Sequence, residues 1–219
     1  MLPKRSILIA LLIAGTLEAQ PIWETLMQAP LPPDAEPKIT VLTLPFAPAP
    51  PVPPAIGAGH THPGPVFAYI LQGEIENQVE PDPPQIYKPG GFFYEPPRHV
   101  HKFMRNLSST EPAKAIVFQA GATGPPSPVI KRLFEAPLPS TTNQELSLLR
   151  LTLSPGTTAE SHPHSGPAVL YVLEGKVETS GMTYAPGDLF SEPPHAAQSA
   201  YKNAGSEPAK LLVYQVSEK

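Results

Sequence analysis

The stretch Tyr69-Ile70-Leu71-Gln72-Gly73 returns further along the chain as Tyr171-Val172-Leu173-Glu174-Gly175, and it does not return alone. Ile22 to Pro32 (IWETLMQAPLP) is answered by Val129 to Pro139 (VIKRLFEAPLP), and Lys38 to Leu44 (KITVLTL) by Leu146 to Leu153 (LSLLRLTL). His60-Thr61-His62-Pro63 is answered by His162-Pro163-His164-Ser165, and Pro89-Gly90 by Pro186-Gly187. Glu95-Pro96-Pro97 is answered by Glu192-Pro193-Pro194, and Glu111-Pro112-Ala113-Lys114 by Glu207-Pro208-Ala209-Lys210. Correspondences kept in one order mark a duplication. They predict two units of roughly 90–100 residues, a normal domain size, spanning residues 20–120 and 128–219 with a linker at about 120–128.

The composition says what each unit is made of. The chain has 33 Pro and 15 Gly, yet 41% of its residues are hydrophobic and they fall in short runs between the prolines. Pro and Gly serve turns and are excluded from strand interiors, so the pattern predicts an all-β protein of many short strands. Phe67 to Ile75 reads as a strand and turn with Gly73 at the bend, and Ala115 to Gln119 and Leu211 to Val216 read as closing strands. No amphipathic helix of useful length is found. Both ends of each unit are apolar strand candidates, which allows two barrels to exchange or share edge strands, since closure removes exposed edges. Glu80 to Gln85 is an insertion particular to the first unit and reads as a loop near the mouth of its barrel.

Several classes are excluded or disfavoured at once. The net charge is only -4 and no stretch concentrates Lys and Arg, whereas nucleic acid requires a basic surface. With no cysteine there is no disulfide, thiolate ligand or thiol nucleophile. Lys4 and Arg5 precede the apolar run Ile7 to Leu17, followed by Glu18, Ala19 and Gln20, the pattern of a secretory signal. Residues 1–19 are therefore expected to be a signal peptide, and the protein to be exported to the periplasm or the extracellular space. The run is shorter than the ~20 residues of a spanning helix, so no stable membrane anchor is expected.

All seven histidines, 60, 62, 99, 101, 162, 164 and 195, lie inside the repeated motifs. Residues two apart on a strand share a face, so His60 and His62 converge, and imidazole is the commonest metal ligand. A third imidazole from a later strand, His101, would complete one face of a coordination sphere. The alternative is a polar pocket that binds its ligand without metal. Glu95 offers a fourth ligand, a partner orienting an imidazole, or a general base, against a purely structural carboxylate. Its recurrence as Glu192 favours the structural role. His99, two residues from His101, is the other acid/base candidate. Phe67 and Tyr69 are expected to line the cavity or the core.

The order His-x-His, Tyr-(Val/Ile)-Leu-x-Gly, Pro-Gly, then Pro-Pro-x-x-x-His and Asn resembles the two motifs of the cupin superfamily, and the resemblance covers both units. It implies two tandem jelly-roll barrels, a bicupin. It also implies a divalent metal (Fe, Mn, Zn, Ni or Cu) on His60, His62 and His101, with Asn106 at the terminal asparagine of the motif. The family often has a glutamate ligand before the glycine, but counting back from Gly73 and Gly175 places Val66 and Ala168 there. Unit one then resembles the three-histidine sites of diketone- and thiol-dioxygenase cupins, suited to an anionic or enolate substrate chelating the metal. In unit two His162 and His164 remain, but Gln198 replaces the third histidine and only His195 stands near, so a weakened site is expected.

The favoured reading is a metal-dependent, oxygenase-like enzyme acting on a small organic molecule, with His99 or Glu95 moving protons. A lyase or isomerase would use the same site. A non-catalytic module binding a small molecule or carbohydrate, or a duplicated barrel whose metal only stabilises it, are the alternatives. Homo-oligomerisation is left open. Fold does not settle function in such a family.

Overall fold

The computed structural model describes residues 19–48, 59–121, 130–138, 142–161, 165–195 and 199–219. The first unit contributes β1 (Ile22–Pro30), β2 (Lys38–Phe46), β3 (Val66–Gln72), β4 (Ile75–Val79), β5 (Gln85–Tyr87), β6 (Phe92–Glu95), β7 (His101–Asn106) and β8 (Ala113–Ala120). The second contributes β9 (Lys131–Pro137), β10 (Gln144–Leu153), β11 (Thr158–Ala159), β12 (Ala168–Glu174) and β13 (Val177–Thr179). It continues with β14 (Met182–Tyr184), β15 (Leu189–Glu192), β16 (Tyr201–Asn203) and β17 (Ala209–Glu218). The described residues form no helix, as the prolines and short apolar runs predict. The segment 1–18 and the linker from 122 onward lie outside them.

Each unit builds a large and a small antiparallel sheet, and the two large sheets have the same order: β9-β2-β8-β3-β6 in one barrel and β1-β10-β17-β12-β15 in the other. The outer strands are exchanged. β1, from the start of the chain, pairs along β10, with Trp23 opposite Leu151 and Ala29 opposite Leu146. β9 pairs along β2 in return, with Phe134 opposite Val41 and Ala136 opposite Ile39. Each unit thereby covers an edge of its partner that would otherwise present unpaired N–H and C=O groups. The smaller sheets are β5-β4-β7 and β11-β16-β13-β14.

The exchange explains why central strands are buried on both faces. Along β3, Val66, Ala68 and Ile70 point into the first barrel with Ile75, Phe93 and Met104. The alternate residues Phe67 and Tyr69 enter a shared core with Ile39, Phe118, Leu148, Tyr171 and Tyr214 from both units. Two-sided burial turns the usual alternation into a continuous apolar run. Phe67 and Tyr69 are thus core residues between the barrels, not cavity-lining ones. β1 and β9 carry an irregularity at the same repeated leucine: the register slips between Thr25 and Met27, and Leu133 falls where the pairing of β9 with β2 shifts. A bulge sets two residues against one. Both Leu26 and Met27, and both Leu133 and Phe134, consequently pack on the shared core.

Two glycines fix the chain around the site. Gly73 turns β3 into β4 at a φ of 73°, and a Cβ there would stand 2.6 Å from the Ala113 Cβ. Gly64 follows the histidine pair, and its Cβ would come within 2.5 Å of the Ala120 carbonyl oxygen. Only glycine lets this loop lie directly on β8, where the Ala120 N–H donates to the Pro65 carbonyl at 3.1 Å.

Candidate metal centre

The two histidine motifs are joined through the backbone before their side chains meet. His60 forms an antiparallel bridge to His101, whose N–H donates to the His60 carbonyl at 2.8 Å. The Arg98 N–H donates to the His62 carbonyl, also at 2.8 Å. The Pro97–His101 turn therefore carries the first motif alongside the start of β7. His101 is the first residue of β7, and its buried side chain points into the barrel.

The donor atoms of His60, His62 and His101 all lie within 4.8 Å of one another. The facing Nε2 atoms of His60 and His62 are 3.0 Å apart. Glu95, the last residue of β6 and buried, completes the group: its Oε2 is 3.1 Å from His62 Nε2 and 3.6 Å from His101 Nδ1. On the other edge of the His101 ring, Nε2 stands 2.8 Å from Asn77 Oδ1. An amide oxygen only accepts, so Nε2 carries the proton and Nδ1 is left as a bare acceptor facing the cluster. Asn77 is buried on β4.

Burial, more than any charge, holds His101 below the ordinary imidazole pKa of 6.5, with the neighbouring Glu95 opposing and His62 adding to it. His60 is lowered too, first by burial and then by His62 and His101. Neutral imidazoles are ligands in waiting. The residues present fit a divalent ion. Two buried polar atoms, Glu95 Oε2 and His101 Nδ1, have no hydrogen-bond partner, and they face one another. The contacts of Glu95 Oε2 with His62 and His101 are those of an ion pair, with no hydrogen bond formed. Buried acceptors left unsatisfied cost about 1–3 kcal/mol each, and a cation among them removes that cost. Ligands at ~2.1 Å from an ion are about 3–3.4 Å apart; the His60–His62 and His62–Glu95 spacings of 3.0 and 3.1 Å match this, while the histidine donors as a set spread to 4.8 Å.

The profile of the cupin domain matches residues 52–119 and again residues 149–214, more than half of the chain. The chain belongs to the cupin family. The comparison with curated proteins found no match. Among solved structures it is similar to the salicylate 1,2-dioxygenase of Pseudoaminobacter salicylatoxidans, at 16% identity and a TM-score of 0.57 over 82% of this chain and 72% of that one. It is similar also to the oxalate decarboxylase of Bacillus subtilis, at 16% identity and a TM-score of 0.55 over 83% and 70%. A cupin barrel protein of Leptotrichia buccalis matches 93% of this chain with 92% of its own, at 16% identity and a TM-score of 0.55. At such identity the likeness establishes the double-barrel fold.

Within this cupin, His60, His62, His101 and Glu95 come together and His99 does not. His99 is exposed, precedes β7, and its Nδ1 bonds the Glu80 carbonyl at 3.1 Å. The two-residue spacing to His101 does not give a shared face, because strand geometry begins only at His101 and Arg98 before it takes a left-handed φ of 64°. The insertion that starts at Glu80 is fastened to this turn, with Glu80 N–H donating to Val100 O at 2.9 Å and Lys102 pairing with Glu80 at 2.8 Å. Asn106 is a structural tie: its amide donates to Ala47 O and Glu111 O, and its oxygen accepts from Ser108 N–H. Asn203 makes the same three bonds in unit two, to Leu153, Glu207 and Gly205.

In the second unit His162, His164 and Gln198 lie outside the described residues. His195 occupies the place of Arg98, exposed and with a left-handed φ of 59°. Glu192 is buried at the end of β15 as Glu95 is at the end of β6. Thr179 stands where the first unit has Asn77, three residues into the equivalent strand. The sequence pattern did not single out Asn77; its one signal was an amide side chain on an inward position of an apolar strand.

Proposed function

We propose that this cupin is an exported, metal-dependent enzyme that acts on a small organic molecule in its first barrel, with chemistry of the dioxygenase kind. The observation that carries the proposal is the convergence of three imidazoles and a buried carboxylate, with two buried acceptor atoms that form no hydrogen bond. His60, His62 and His101 would hold the ion. When bound, it supplies Lewis-acid polarisation of a substrate oxygen and, where redox-active, a partner for dioxygen.

The chain's own contribution is orientation and exclusion of water. Asn77 keeps the His101 proton on Nε2 and its acceptor inward, the outer support that ligating histidines commonly have. Gly64 and the Arg98 N–H fix the backbone carrying His62. Val66, Phe93 and Met104 make the barrel interior apolar, which keeps the dielectric low where charge develops. The likeness to a salicylate dioxygenase and an oxalate decarboxylase agrees with a small-molecule substrate. Export is supported by the residues that precede Gln20, and N-terminal sequencing of the secreted or periplasmic protein is expected to begin at Gln20.

The test is metal analysis of protein purified without chelator, followed by oxygen uptake with a panel of diketones, phenols and flavonols. Turnover that vanishes in His60→Ala and His101→Ala supports the reading. A chain that binds no divalent metal overturns it.

A further inference from the structure

We infer that Glu95 is a ligand to the same metal, the carboxylate that cupins often carry at the position of Val66 having been moved to the neighbouring strand. The inference rests on the metal-dependent reading above and deepens it, from a three-histidine site to three histidines and a carboxylate.

The strand register makes the argument. β3 and β6 are antiparallel, and Val66 is the direct Cα partner of Glu95. Residues directly opposite on adjacent strands project to the same face with Cβ atoms about 4.5–5.5 Å apart. Val66 projects into the first barrel, so Glu95 does too, from one strand over. A carboxylate launched from there reaches the region that one launched from Val66 would reach. Its Oε2 arrives between two imidazole nitrogens, at 3.1 Å and 3.6 Å.

The energetics select a ligand over a structural or proton-carrying role. A structural buried carboxylate is held by N–H or O–H donors or by a Lys or Arg. Glu95 Oε2 has no hydrogen-bond partner, and its ion-pair partners among the described residues are the two imidazoles. A general base must offer its oxygen toward substrate, whereas this one points among the ligand nitrogens. The carboxylate also supplies the negative charge that three neutral imidazoles lack. The same strand pair is built in unit two, where Ala168 is the partner of buried Glu192.

The test reads Co²⁺ binding directly, by competition with a chromophoric chelator and by the visible absorption of the bound ion, with circular dichroism to confirm folding. Four proteins are compared: wild type, Glu95→Gln, Glu95→Ala, and Glu95→Ala combined with Val66→Glu. A direct ligand is expected to matter at least as much as an outer-shell partner, about 10–100-fold in affinity. Glu95→Gln and Glu95→Ala should weaken Co²⁺ by that much or more and change its absorption. Val66→Glu should then restore affinity in the Glu95→Ala chain to within about tenfold of wild type, which a structural carboxylate would not allow. Folded Glu95→Gln that binds Co²⁺ as wild type does, with the same absorption, overturns the inference while the metal-dependent reading stands. So does a loss in Glu95→Ala that Val66→Glu leaves unrestored. Wild type that binds no Co²⁺ overturns the underlying reading, and the inference with it.

Discussion

Replacing Asn77 by alanine removes one contact and exposes what it does. The Asn77 side chain is buried, and its oxygen lies 2.8 Å from His101 Nε2. Without it the ring loses the side-chain acceptor that holds its proton on Nε2, and the Nδ1–H form, which turns a donor toward the ion, becomes accessible. Outer partners of this kind are worth about 10–100-fold in metal affinity, or about 1.4–2.7 kcal/mol. A separate cost falls on the metal-free protein, because the buried Nε2–H loses its partner, at about 1–3 kcal/mol. Asn77→Asp keeps an acceptor in place and should bind metal as tightly as wild type or more so. Zn²⁺ competition against a chromophoric chelator gives the affinities, and urea unfolding of the metal-free chains gives the stabilities. Folded Asn77→Ala with Zn²⁺ affinity within about threefold of wild type would refute the orienting role.

Other consequences follow from the same geometry. The Tyr214 hydroxyl is buried without a hydrogen-bond partner in the shared core, burial pushes its pKa upward, and its counterpart in unit one is Phe118. Tyr214→Phe should stabilise the protein by about 1 kcal/mol, raising the melting temperature by roughly 2–4 °C; a lower melting temperature would show that the hydroxyl has a partner. For pH, His60 and His101 are held below 6.5 mainly by burial, so the unfolded chain binds more protons just below that value. Stability of the metal-free protein is therefore full above about pH 6.5 and falls as the pH drops through it. Melting of the metal-free protein at about pH 7.5 and 5.5 should show this fall, and His101→Gln should shrink it. An equal fall in the variant would remove His101 from the account.

Much of this molecule is legible in the order of residues, because a duplication writes every motif twice. Two barrels, their closing strands and the His60, His62 and His101 group all follow from repeats and from alternation along a strand. What escaped depends on which strand lies beside which. The missing glutamate at Val66 looks like a lost ligand until β6 is paired with β3, and only then is Glu95 seen to stand opposite it. Asn77 meets His101 across the pairing of β4 with β7, and no local spacing reports that. Phe67 and Tyr69 read equally well as cavity or core, since the face they occupy is set by the exchange of β1 and β9. The face that spacing alone would have His99 share with His101 does not form, because alternation breaks at a turn with a left-handed residue.

The central claim is that the first barrel holds a divalent ion on His60, His62 and His101. The metal content of wild type and His101→Ala, purified side by side without chelator and measured by plasma mass spectrometry, tests it most directly. The account predicts that wild type carries about one more ion per chain than the variant, whatever the second barrel contributes. Equal metal content in the two folded proteins would contradict it.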